Sequence, residues 1–199
     1  MMAQERVRLV AGLGNPGKAY RETRHNAGFM VLEKVAASFS IGLDKQKFQT
    51  QHGRGKIEGV QVILAQPLAY MNNSGPPIKH LAGYFRISCE DLLIIHDDID
   101  LAYGRIKIKK KGGHGGHNGL KSLMHAFGGG DFARIRIGVG RSSERIRVAD
   151  HVLGRYSAEE SKYLERVITR ARDAVVTILT KGIAVGMNRY NDKRISFPS

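Results

Sequence analysis

Asp91-Leu92-Leu93-Ile94-Ile95-His96 is a short apolar run closed by an acid at one end and an imidazole at the other. Such a run, with no polar alternation, is the pattern of a central strand covered on both faces. Residues 6–12 read as a strand, followed by a long loop over 13–24. Apolar Phe29, Leu32, Val35, Ala36 and Phe39 then recur at helical spacing and predict a helix over 25–39. Residues 46–57 and 60–66 read as two strands joined by a turn at Glu58-Gly59. Ser74 is placed to cap a helix whose first turn holds Pro76 and Pro77.

Beyond the central run, residues 105–110 alternate, with Ile106 and Ile108 on one face and Arg105, Lys107 and Lys109 on the other. Residues 134–139 repeat this, which places Arg134 and Arg136 outward. A helix is expected over 119–127, an irregular basic connection over 141–156, and a capping box at Ser157-Ala-Glu-Glu160. That box opens an amphipathic helix with Leu164, Val167, Ile168, Ala171, Val175 and Ile178 on one face. Strands interleaved with helices give an α/β protein, expected as a single domain over residues 1–190 with a mixed sheet covered on both faces. Residues 191–199 read as a loose polar tail.

The chain has 199 residues, of which 42 % are hydrophobic, and this excludes disordered and fibrous classes. No segment approaches the roughly 18 apolar residues of a membrane span, and the start lacks a secretion signal. The lone Cys89 excludes an internal disulfide, fits a reducing cytoplasm and reads as an ordinary linker residue. Lys and Arg total 32 against 18 Asp and Glu, a net charge of +14. A basic surface kept for solubility would explain this, but nucleic-acid binding through phosphate neutralisation is the sharper reading.

Several groups of residues could carry chemistry. Gly12-Leu-Gly-Asn-Pro-Gly17 matches the dinucleotide-binding pattern. Its context argues against a nicotinamide cofactor: Pro16 removes an N–H and no regular helix follows at once. What survives is a turn presenting Asn15. His25 lies near a helix start, and Asp97 and Asp98 close the central strand; they either orient that imidazole or merely form a turn with Asp100. Tyr70-Met-Asn-Asn-Ser-Gly75 offers Asn72, and Gly112-Gly-His-Gly-Gly-His-Asn-Gly119 offers His114, His117 and Asn118 behind a basic strand. Glycine at that density calls for either positive φ or close approach of something, a polyanion on this charge pattern, to the backbone. His96, Asp97, His114 and His117 are close in sequence, yet the spacing is poor for zinc, and no metal is expected. A covalent serine lacks its elbow motif.

Taken in order, Gly-Leu-Gly-Asn15-Pro-Gly with Tyr20 and Thr-Arg-His25-Asn, Met71-Asn72-x-Ser-Gly, His96-Asp97-Asp98, and Gly-Gly-His114-Gly-Gly-His117-Asn118-Gly resemble the bacterial peptidyl-tRNA hydrolase family. The likeness spans nearly the whole chain. It implies a cytoplasmic, monomeric α/β enzyme with a twisted mixed sheet and no cofactor, which cleaves the ester between a peptide and the 3′ ribose of tRNA. By position, the resemblance makes His25 the base that activates water and Asp97 its support. Asn15, Asn72 and Asn118 would position ester, adenosine and water, and Met71 would line the peptide path. Tyr20 belongs to the same first loop. His117, Lys109 and Arg136 would form a cationic clamp on the tRNA acceptor end, with Arg134 the competing arginine. Residues 141–156 align with a mobile lid. A non-catalytic RNA-binding protein of the same fold is the alternative.

Overall fold

The computed structural model describes residues 7–141 and 146–191. Its strands are β1 (Arg8–Gly12), β2 (Lys45–Lys47), β3 (Thr50–Ile57), β4 (Val60–Pro67), β5 (Leu92–Asp98), β6 (Ile106–Lys109) and β7 (Ala133–Gly138). They form one sheet in the order β2-β3-β4-β1-β5-β7-β6. Strands β4, β1, β5 and β7 run parallel at its centre, and the edge strands pair antiparallel. The helices are α1 (Ala27–Ser38), α2 (Gly75–Tyr84), α3 (Asn118–Phe127), α4 (Val148–Leu153), α5 (Ala158–Lys181) and α6 (Ile183–Tyr190).

Alternate residues of the central strands enter two separate cores. Val10, Leu64, Leu93, Ile95, Ile135 and Ile137 face α1, α5 and α6. Leu9, Ala11, Ile63, Leu92 and Ile94 face α2 and α3. Hydrophobic burial at about 25 cal/mol per Å2 on both faces is what makes the apolar run at 92–95 an interior strand. The expected α/β architecture is thus present, with helices on both faces of a mixed sheet.

Several local expectations are corrected. Residues 46–57 are not one strand, because the chain reverses at Phe48 and Gln49, both left-handed at φ 51° and 53°. Ser74 lies at the start of α2 but does not cap it; its hydroxyl donates to the Met71 carbonyl, and Ser122 Oγ accepts the Gly75 N–H at 2.9 Å instead. The connection over 141–156 contains α4, and residues 142–145 lie outside the described residues. Helix α6 had no counterpart in the sequence reading. Asn191, read as the first residue of a loose tail, is anchored by a two-way bond to the backbone of Ile108; 192–199 lie outside the described residues. The capping box of α5 forms as expected, and Cys89 is a free thiol in the turn before β5.

Gly12 and Gly28 explain part of the glycine-rich first motif. A Cβ on Gly28 would meet the Ile95 carbonyl oxygen at 2.3 Å, and one on Gly12 would meet the Gly28 carbonyl at the same distance. These glycines seat α1 on the ends of β1 and β5.

Candidate active site

The connections leaving β1 and β4 go to opposite faces of the sheet, α1 on one and α2 on the other, which opens a crevice at the carboxyl ends of these strands. One hydrogen bond spans it: the Met71 N–H donates to Asn15 Oδ1 at 2.7 Å. That bond assigns the Asn15 amide, since its oxygen is used and its NH2 group is left without a protein partner among the described residues. Asn26 holds the Asn15 backbone from the other side, accepting its N–H and donating to its carbonyl, each at 2.9 Å. Asn26 was missed in the sequence, although it lies within the same motif as His25.

His25 occupies a helical turn (Arg24–Asn26) that leads into α1. Its Nδ1 lies 2.9 Å from both carboxylate oxygens of Asp97, at the end of β5. Asp98 instead makes the turn, accepting the Asp100 N–H at 2.9 Å. The two acids thus part company: Asp97 lies against the imidazole and Asp98 belongs to the turn. With Nδ1 donating to a carboxylate, Nε2 is the atom that carries the lone pair.

Asp97 has a second imidazole partner. His117 Nε2 lies 2.9 Å from Oδ1, and the rings of His25 and His117 are 5.1 Å apart. His117 Nδ1 accepts the N–H groups of Gly119 and Leu120 at 3.1 and 3.3 Å, capping α3. Burial alone would raise the Asp97 carboxyl, but the imidazoles of His117 and His25 outweigh it and hold the group far below the usual carboxylate range. His96, 1 % exposed, is kept neutral mainly by burial, and its Nδ1 lies 2.6 Å from the Asp97 carbonyl oxygen.

A cleft of about 420 Å3 opens beside this group, walled by His25, Asp97, the 114–118 loop and Val148, Ala149 and Val152 of α4. Asn118 lines it. Met71 is buried against the start of α3, where its sulfur would lie 2.6 Å from a Cβ on Gly119. Asn72 is exposed on the neighbouring turn, and Tyr20 sits edge-on to Tyr70, ring centroids 6.3 Å apart. A second cavity of about 340 Å3 lies at the opposite end of the sheet, near Arg8 and Lys110, remote from these groups.

The basic strands differ from expectation. Arg134 does not face outward. It is 1 % exposed, and its two terminal nitrogens donate to the carbonyls of Gly113 and Gly130 at 3.0 and 2.9 Å. Arg136 is half-buried and its Nε donates to Asp98 Oδ2 at 2.5 Å. The alternation located their face correctly but gave no sign of what covers it. Lys109 is exposed at the end of β6, paired in register with Arg134.

His25, Asp97 and His117 also offer ligand atoms within 4.8 Å of one another, a grouping that suits a metal ion. An ion there would displace the protons that the two imidazoles give Asp97, replacing the pair rather than assisting it.

An imidazole oriented by a buried carboxylate, beside a cleft at the carboxyl ends of parallel strands, is the equipment of a hydrolytic α/β enzyme. The chain belongs to the peptidyl-tRNA hydrolase family, whose sequence profile matches residues 9–197. It is 43 % identical over 185 residues to the peptidyl-tRNA hydrolase of Bacillus subtilis, covering 93 % of this chain and 98 % of that protein. It is 41 % identical over 187 residues to the one from Clostridium perfringens, covering 94 % and 98 %. The crystal structure of the Acinetobacter baumannii peptidyl-tRNA hydrolase superimposes with a TM-score of 0.89 at 39 % identity, over 98 % of this chain and 99 % of that one. No helix among the described residues is long and apolar enough to cross a membrane.

Proposed function

We propose that His25 is the general base of this enzyme and Asp97 its support. As a member of its family, the chain hydrolyses peptidyl-tRNA, splitting the ester between the peptide and the 3′ ribose oxygen. Nε2 of His25 takes a proton from water as the oxygen attacks the ester carbonyl, and Asp97 stabilises the imidazolium. The tetrahedral oxyanion then collapses, and the imidazolium returns the proton to the departing ribose oxygen. A positioned base of this kind supplies roughly 10²–10⁴-fold of rate.

The NH2 of Asn15, unpartnered among the described residues, and the amides of Asn72 and Asn118 are the donors assigned to ester carbonyl, adenosine and water. Neutral amides can stabilise developing negative charge without a counterion. Met71 is assigned to the peptide path, and Tyr20 belongs to the same first loop as Asn15. Lys109 and Arg136 are assigned to the phosphates of the acceptor end, a grip that is blind to sequence. The reading includes a monomer in the cytoplasm.

The observation that carries the proposal is the double contact of His25 Nδ1 with the Asp97 carboxylate at 2.9 Å, at a residue that lines the cleft. The test follows release of N-acyl-amino acid from N-acylated aminoacyl-tRNA. His25→Ala abolishes turnover and leaves tRNA affinity nearly unchanged; lost binding with a retained rate per bound complex contradicts it. The metal grouping of His25, Asp97 and His117 is tested in the same assay. Excess chelator leaves the rate unchanged if protons, and not an ion, join these residues.

A further inference from the structure

We infer that His117 is a positioning residue of this reaction: held in one tautomer by the N-terminus of α3, it is the second N–H donor to Asp97 and through Asp97 governs His25. The inference rests on His25 being the base. It departs from the resemblance, which placed His117 on tRNA phosphate.

The argument begins with hydrogen positions. His117 Nδ1 faces two backbone N–H groups, those of Gly119 and Leu120, so it accepts and carries no proton. The ring's one proton is then on Nε2, which lies 2.9 Å from Asp97 Oδ1. A proton added at Nδ1 would confront those two donors and the positive end of a ten-residue helix. His117 therefore reaches Asp97 as a neutral donor, and both of its nitrogens are spent inside the protein. Neither is left to hold a phosphate.

Oδ1 of Asp97 thus takes hydrogen bonds from two imidazoles, His25 from the start of α1 and His117 from the start of α3. His96 completes the arrangement from β5. Its ring stands edge-on to His117 at 4.8 Å, and its Nδ1 lies 2.6 Å from the Asp97 carbonyl. Among the described residues, the other titratable and charged groups facing this cluster are Tyr156 ahead of α5, Arg134 from β7, and Asp98 and His114 at the cleft.

Two consequences follow. A second donor pins the carboxylate, so Asp97 cannot turn away from His25 between turnovers. It also takes up part of the carboxylate's charge, so the imidazolium is stabilised enough to form but not so strongly that it retains its proton. The proton must go on to the ribose oxygen for the cycle to close.

The test compares wild type with His117→Asn, His117→Ala and His25→Ala on N-acylated aminoacyl-tRNA across pH. Asparagine is a strong N-cap and retains the cap of α3, but it is too short to reach Asp97. The expected result for His117→Asn is a wild-type Tm, unchanged KM and salt dependence, and kcat lower by about tenfold, the scale of one lost bond to a charged group. The acid limb of its kcat/KM profile moves to higher pH, because Asp97 now acts on His25 alone. Should the alanine variant unfold, the asparagine variant carries the comparison. A wild-type kcat and pH profile in His117→Asn reduces the residue to a helix cap and overturns the inference. A raised KM with a salt slope reduced by about one overturns it in favour of a phosphate contact. Persisting turnover in His25→Ala would instead refute the base itself, a failure distinguishable from either.

Discussion

Arg24 and Glu160, 136 positions apart in the chain, form a 2.6 Å ion pair immediately beside His25. Glu160 is also the acidic member of the α5 capping box, accepting the Ser157 N–H at 2.7 Å through the same oxygen. Arg24 further donates to the Arg155 carbonyl at 2.7 Å, and its own N–H binds the Gly154 carbonyl at 3.1 Å. Tyr103 adds a bond to the Glu160 carbonyl; burial and the Glu160 carboxylate push its phenol up to about 12, so it remains a donor. One arginine therefore fixes the end of α4 and the start of α5 to the turn that carries His25.

Arg24→Ala is expected to cost about 3 kcal/mol, the lower end of what breaking a buried pair costs, because both side chains retain some water. Arg24→Lys recovers little, since a single ammonium cannot reproduce the forked contacts. Urea unfolding measures the loss. An unchanged midpoint would class the pair with exposed, weakly contributing salt bridges.

His96 predicts a pH dependence of stability. Its folded-state pKa is depressed, chiefly by burial, so its contribution is complete above the unfolded value near 6.5 and is lost as pH falls below it. Over that window the unfolded chain binds a proton that the folded one refuses, a slope of up to about 1.4 kcal/mol per pH unit. His96→Asn retains a donor near Nδ1 but cannot titrate. The difference between the two unfolding curves should shrink steadily from pH 7 to pH 5. Parallel curves would show that His96 takes up its proton in the native state.

Much of this was legible in the sequence, and the omissions share a physical cause. The run at 92–95 and the capping box at Ser157 are local patterns, set by residues that are neighbours in the chain. The break at Phe48 and Gln49 was not legible, because neither is a glycine or asparagine of the kind that normally announces a left-handed turn. The alternation at Arg134 gave its side of the sheet, but only the three-dimensional arrangement brings the Gly113 and Gly130 carbonyls to its guanidinium. From the residues alone the pairing of His25 with Asp97 could be posed only as an alternative to a turn; it was the family resemblance that assigned Asp97 to His25. The second donor on Asp97 and the Asn26 clamp on Asn15 could not be posed at all, since each depends on which atom of a ring or amide faces its neighbour.

Gly28 ties fold to function. An added Cβ would meet the Ile95 carbonyl at 2.3 Å and both backbone polar atoms of Leu13 at 2.5 Å, none of which can yield as a flexible side chain would. Gly28→Ala is expected to cost about 3 kcal/mol or more, the upper range for overpacking. It should also depress kcat beyond what instability explains, because α1 carries His25 with it. Thermal unfolding and single-turnover rates measured on the folded fraction separate the two effects. A wild-type kcat in the variant would mean that α1 shifts without moving His25.

Arg134 and Arg136 are neighbours on one face of β7 with opposite expected behaviour. Arg134 is buried over the Phe132 ring, 4.6 Å from its centroid, and holds two glycine-loop carbonyls. Its pKa is lowered by burial and then by Arg136, so it is a cation retained at some cost. Arg134→Ala leaves two carbonyls short of donors and should destabilise the protein by about 2–3 kcal/mol, with the salt dependence of tRNA binding unaltered per folded molecule. Arg136→Ala releases Asp98 near the surface, costs less stability, and flattens the salt dependence by about one unit of slope, as does Lys109→Ala. Filter binding across salt concentrations, beside urea unfolding, distinguishes them. A flattened slope in Arg134→Ala and an unchanged one in Arg136→Ala would exchange their roles and require the glycine loop to open when tRNA binds.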